Sequence, residues 1–349
     1  MTRHWTLAFA IALLSGVVVV PAAEAVAPKA DEQHLPKFTS EAKPAAPYAL
    51  ASNLREKLLD KTLGANQKYI LKGLKADDEH HASVVAVGIS GTYACSGVAI
   101  APRMVLTAAH CFCEGKQHRP SWATGVNTGQ LTKTGQHYAL AAPKVVPFDE
   151  QNPCTHAPGR PDLAILVLAK SLPIDVAQLP ATSVLGAGGL VNVVGYGKRT
   201  ADGDLARQRL HGFATVLTSN CNGFDGQRQP DSAIYDCHPP TAGMAEMVIG
   251  PGQWIGPDKI VVEAGSDACK GDSGGGAFWR LFDDELNAKG KQLLEARYVL
   301  AGIVSRGAKS QTGCGSGSIH TLITPSVRRW IDKTAITYSI APIVGTAGP

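Results

Sequence analysis

The sequence predicts an all-β protein, an antiparallel sandwich or barrel, on three observations. From residue 82 onward short apolar or alternating runs follow one another, broken by glycine and proline, with no helical repeat between them. The 37 glycines and 22 prolines supply turns, and only 18% of residues are charged, which suits a loop-rich β protein. A single helix signal closes the pattern: Thr324 as N-cap and Pro325 at the first helical position, running on through Trp330 and Ile331.

In chain order the strand candidates are residues 84–89, 96–101, 104–108, 139–146, 163–168 and 190–196, then 211–217, 260–263, 276–279, 298–305 and 319–323. Stretches 239–258 and 281–295 read as surface loops. Asp77-Asp78-Glu79-His80-His81 reads as a solvated turn, because a metal would need a second ligand cluster.

Residues 1–25 read as a secretory signal peptide. Arg3 and His4 give a polar start, residues 7–20 are almost wholly apolar, and residues 21–25 offer an A-x-A-like cleavage site. The run is short for a membrane span, the alternative being an uncleaved anchor, and no cysteine follows it to take a lipid. Residues 26–69 read as a linker and propeptide: proline, alanine and charge without apolar period as far as about Pro47, then one short helix. That helix rests on the capping box Asn53-Leu54-Arg55-Glu56, a face of Leu54, Leu58 and Leu59, and Gly64 as its stop. A secreted or periplasmic location follows, and there the eight cysteines imply disulfides of open connectivity. Cys111-x-Cys113 is too tight for the usual zinc knuckle. With a net charge of +4 and scattered Lys and Arg, no nucleic acid partner is expected, nor a stable membrane association, and the chain is expected to be a monomer.

The chemistry concentrates in Gly271-Asp272-Ser273-Gly274-Gly275. A hydroxyl is a poor nucleophile at neutral pH, and the oxyanion it creates must be met by N–H donors, which glycines let approach closely. The same letters fit the nucleophile elbow of a different hydrolase fold, so chain order decides. His110 ends the run 104–108, and Asp162 stands at the mouth of the run 163–168, giving the order His, Asp, Ser. The elbow needs its acid and histidine after the serine, yet only His320 follows Ser273, and residues 274–278 lack a helical pattern.

With TAAHC, DLAIL and GDSGG in this order, the chain resembles the trypsin-like, chymotrypsin-fold serine peptidases over about residues 70–333. The resemblance implies two six-stranded antiparallel barrels and a C-terminal helix, in a peptidase domain of residues 70–337 followed by a tail of residues 338–349. It makes His110 general base and then acid, Asp162 its orienting partner and Ser273 the nucleophile, with the backbone N–H groups of Gly271 and Ser273 as oxyanion hole. It implies the disulfides Cys95–Cys111, Cys269–Cys314 and Cys221–Cys237, leaving Cys113 with Cys154.

By the same resemblance a zymogen is cut before Ile70, whose new ammonium reaches Asp272. Lys72 and Tyr69 depart from the family's usual residues there. Asp267 matches a pocket-floor acid selecting Arg or Lys, Ala268 lies above it, and Ser305 and Gly307 line the substrate wall. Arg306 replaces the usual tryptophan of that wall and, folded inward, would pair with Asp267; Lys270 stands at the rim. The function expected is a serine endopeptidase that acts on protein or peptide substrates through an acyl-enzyme, after Arg or Lys, with no cofactor and no metal. Its rivals are a catalytically silent homologue acting as a binding module and a peptidase of nonbasic specificity.

Overall fold

Branched residues at consecutive positions, as in Val84-Val85-Ala86-Val87, favour extended backbone and can bury both faces of a strand. The computed structural model describes residues 74–76, 81–129, 131, 136–155, 157, 160–180, 189–200, 203–219, 221, 237–241, 243–250, 252–255, 261–264, 266–281, 297–307, 314–315 and 317–341. The signal peptide, the linker and propeptide, Ile70, residues 77–80 of the acidic turn and nearly all of stretch 281–295 lie outside the described residues.

The strands of the first half are β1 (Leu74–Lys75), β2 (Val84–Ile89), β3 (Thr92–Ala101), β4 (Met104–Thr107), β5 (Cys113–Glu114), β6 (Gln117–His118), β7 (Ala123–Thr128), β8 (Gln136–Pro147) and β9 (Ala164–Leu168). Those of the second are β10 (Leu190–Gly195), β11 (Leu210–Thr218), β12 (Glu246–Gly250), β13 (Gly252–Ile255), β14 (Val261–Ala264), β15 (Gly276–Leu281), β16 (Arg297–Gly307) and β17 (Ser318–Leu322). Strands β2-β3-β4-β9-β8-β7 close into one antiparallel barrel. The order β11-β10-β15-β16-β17-β12 closes into a second through the β11–β12 pairing, with β1 added beside β11. This is the chymotrypsin-like architecture of two six-stranded barrels.

Period-two alternation divides the apolar residues between two cores. Val85, Val87, Ala99, Val105, Leu166 and Leu168 pack within one cluster of the first barrel. Their neighbours Val84, Ala86, Val98, Leu106, Ile165 and Val167 join Val194, Phe278 and Leu300 of the second barrel in a shared cluster. The chain's closing helix, α1 (Pro325–Thr337), adds Val327 and Ile331 to that cluster. Its start is fixed by Thr324, whose Oγ1 accepts from the Val327 amide at 3.3 Å.

Two expectations are corrected. Stretch 239–258 is no mere surface loop: it holds β12, with Met247, Val248 and Ile249 fully buried and paired on both sides, the apolar core of the run outweighing its Gly and Pro flanks. His81 is not in a solvated turn. It is 2% exposed, packed against Phe278 and Tyr298 and within 2.9 Å of Asn192 Nδ2.

Candidate active site

After β4 a short 3₁₀ turn, Ala109–Phe112, carries His110. The Cys95–Cys111 disulfide ties this turn to β3. The His110 backbone N–H donates to Asp162 Oδ1 at 2.9 Å, and ring Nδ1 lies 2.6 Å from Asp162 Oδ2. Ring Nε2 lies 3.0 Å from Ser273 Oγ. An ionised carboxylate only accepts, so Nδ1 carries the proton and Nε2 of the neutral ring is the acceptor facing the serine hydroxyl. Asp162 is 4% exposed and takes a further donor, the Ser305 hydroxyl, on Oδ2 at 2.6 Å. Burial by itself would push the His110 imidazole down, but the charge and hydrogen bond of Asp162 together leave it above its ordinary 6.5, with the charge of Arg306 opposing.

Ser273 sits in a loop whose backbone is held from several sides. Gly271 and Gly274 take φ of +97° and +84°, left-handed values that side chains disfavour. Ser96, fully buried, donates its hydroxyl to the Gly271 carbonyl at 2.8 Å and its amide to the Ser273 carbonyl at 2.8 Å. The amide of Gly274 is used by Val304 and that of Asp272 by Cys269, whereas those of Gly271 and Ser273 make no backbone hydrogen bond among the described residues. Two N–H groups of the serine loop are thereby left without a backbone acceptor among the described residues. A Cβ on Gly274 would overlap Thr107 Oγ1 and the Ser96 carbonyl, and the positive φ adds strain. Gly274→Ala is therefore expected to lower Tm by about 5–10 °C, read by thermal denaturation.

The four disulfides pair Cys95 with Cys111, Cys113 with Cys154, Cys221 with Cys237 and Cys269 with Cys314. The model of one family, Trypsin, matches residues 70–331. The chain belongs to the trypsin family. Its fold is similar to that of neuropsin, a serine protease expressed in the limbic system of mouse brain, at 19% identity and a TM-score of 0.51, covering 75% of this chain and 98% of neuropsin. A mutant of human heparin binding protein matches at 19% identity and a TM-score of 0.50, covering 76% of this chain and 96% of the other.

In this trypsin-family member Asp272 is wholly buried beneath the serine loop. Its Oδ1 accepts from the Gly197 amide at 2.7 Å and its Oδ2 from the Cys269 amide at 2.9 Å. Burial drives its carboxyl up to about 7, those two donors pulling it back and the charge of Asp267 adding to the rise. Gly195 and Gly197 make room for it, since a Cβ on either would overlap the carboxylate.

Asp267 is also buried, at 1% exposure. Its Oδ2 accepts from the amides of Gly315 at 2.9 Å and Gly317 at 3.0 Å, and its Oδ1 from the Ser318 hydroxyl at 2.7 Å. Burial pushes its carboxyl up, against these donors and the Ala268 amide. Ser318 Oγ lies 3.1 Å from Nε2 of His320, a fully buried imidazole that burial lowers to about 3, so it is neutral. Gly307 is exposed, and a Cβ there would meet nothing within 4 Å among the described residues.

Two side chains make contacts outside their sequence reading. The Ser305 hydroxyl, which the sequence reading did not assign, donates to Asp162 and supports the acid. Arg306 turns to Glu246, with Nη1–Oε1 of 2.7 Å and Nη2–Oε2 of 2.9 Å, so the inward pairing with Asp267 is replaced by a forked ion pair. Ser96 and Glu246 are the residues that sequence reasoning missed. Their partners, Gly271 and Arg306, stand 175 and 60 positions away, and no local signal marks them.

Proposed function

We propose that this chain is an exported serine endopeptidase that cleaves peptide bonds through an acyl-enzyme. One observation carries the reading: a continuous line of contacts from Asp162 through both ring nitrogens of His110 to Ser273 Oγ, at 2.6 and 3.0 Å. His110 Nε2 takes the hydroxyl proton as Ser273 Oγ bonds to the acyl carbon, and the carbonyl electrons move to the oxyanion. The amides of Gly271 and Ser273 meet that oxyanion, and Asp162 stabilises the imidazolium. Collapse breaks the C–N bond as His110 returns the proton to the leaving amine. Water, activated by the same ring, then frees the acid and restores Ser273.

Four disulfides support an oxidising compartment, in keeping with residues 1–25 as a signal peptide. The peptidase domain is residues 70–337, active after cleavage before Ile70, because an ammonium there would give the buried Asp272 carboxylate a charged partner. Substrates are proteins or peptides. Cleavage after Arg or Lys follows from an acid at the position of Asp267. A second reading, nonbasic selectivity, is favoured by a specific observation: Asp267 already takes donors from Gly315, Gly317, Ser318 and Ala268, about as many as a carboxylate has lone-pair sites.

A peptide-library cleavage profile of the processed protein, with Ser273→Ala as control, separates these readings. Products ending in Arg or Lys support Asp267 as the selecting group; cleavage with arginyl and lysyl bonds left intact supports the second reading. Failure to cut any peptide, together with inertness to a fluorophosphonate, defeats the enzyme in favour of a binding module.

A further inference from the structure

Beside the triad lies a partly buried ionic cluster whose role the hydrolysis scheme leaves open. It begins with backbone geometry: the β16–β17 register shifts between Val304 and Arg306, a bulge that re-aims successive side chains. Ser305 is thereby directed to Asp162 and Arg306 to Glu246 at the start of β12. The pair is mostly shielded, with side-chain exposures of 16% for Arg306 and 13% for Glu246. The His238 amide adds a donor to Glu246 Oε2 at 2.9 Å, and its ring Nδ1 lies 3.3 Å from Arg306 Nη2. On the other side Arg306 Nη1 stands 3.5 Å from Ser305 Oγ, the hydroxyl that donates to Asp162. A fixed cation thus lies one side chain away from the acid that orients His110.

We propose that Arg306, clamped by Glu246, is a positioning residue that acts on His110 through Ser305 and Asp162 and tempers how tightly the imidazole holds its proton. Asp162 alone favours the charged ring, and a guanidinium 3.5 Å from the Ser305 hydroxyl that donates to Asp162 opposes that effect. Glu246 serves in two ways: it fixes the guanidinium in place by a forked contact and offsets part of its charge. Among the described residues the charged and titratable groups around the pair include His238, Asp162 and His110, and Arg160, which lines the same small cleft as His238 and Glu246, is itself paired with Asp149 at 3.1 Å. Removing either member of the pair should therefore move His110 in opposite senses.

The kinetic half of the test rests on the peptidase reading; the spectroscopic half does not. The His110 ring is titrated by NMR in the full chain, and the second-order rate of fluorophosphonate labelling is followed against pH in the same proteins. In Arg306→Gln the midpoint is expected to rise by about half a unit to one unit, with labelling about three- to tenfold slower on the acid side. In Glu246→Gln the uncompensated guanidinium is expected to lower the midpoint, and Arg306→Lys, which keeps the charge, should stay near the wild type. An unchanged midpoint in Arg306→Gln, or shifts of the same sign in the Gln variants at positions 306 and 246, overturns the proposal. A wild-type protein inert to the fluorophosphonate but showing the opposed NMR shifts would defeat the peptidase reading and support this one.

Discussion

Ser273→Ala is expected to lower kcat/KM for peptide hydrolysis by about 10⁵-fold or more, and His110→Ala by a similar factor. The double variant should be scarcely worse than either single one. The reason lies in the contacts: with His110 Nε2 3.0 Å from Ser273 Oγ, the two groups would share one proton transfer in the proposed mechanism, so removing either would abolish the same step. Asp162→Asn should cost about 10⁴-fold, because an amide facing Nδ1 at 2.6 Å no longer selects the tautomer that leaves Nε2 free to accept. Initial rates on a peptide cut by the wild type provide the comparison, with circular dichroism confirming that each variant is folded. Equal rates in wild type and Ser273→Ala would remove the serine from the chemistry.

A second large effect concerns stability against pH. Asp272 is wholly buried, and its carboxyl titrates at about 7 in the fold against an ordinary 3.8. The folded chain binds this proton more tightly than the unfolded chain does. Its stabilising contribution is therefore complete below about pH 3.8 and is lost as the pH rises through about 7. A difference of about three units corresponds to about 4 kcal/mol. Urea denaturation of the unprocessed chain at several pH values should show this slope, and Asp272→Asn should flatten it. In a chain beginning at Ile70, an ammonium paired with Asp272 would reverse the slope, since the pair favours the ionised acid. The same slope in processed and unprocessed protein would separate Asp272 from activation.

Much of this fold could be read from the sequence because its strands are buried on both faces. Runs such as Ala164–Leu168 carry no polar residue and announce themselves. Strand Ala123–Thr128 escaped notice because it is built from small and polar residues: Gly125 sits at φ +144° and Asn127 is buried with its Nδ2 on Tyr93. Its place is decided by pairing with β2 and β8, which is tertiary information. The core of the site was similarly legible, since His110, Asp162 and Ser273 each stand in a short local motif. What supports them was not. Ser96 acts on a loop far along the chain, and Glu246 matters only because a bulge in β16 aims Arg306 at it. The state of Asp267 likewise depends on glycine amides and a hydroxyl from residues 315–318, which closure of the second barrel brings to it.

The claim at the centre of this account is that Ser273 is an activated nucleophile. Mass spectrometry of the processed protein after reaction with a fluorophosphonate tests it most directly. A single adduct on Ser273, absent in Ser273→Ala and strongly slowed in His110→Ala, is the expected result. Adduct formation at another residue, or labelling of Ser273 at an undiminished rate without His110, would contradict it.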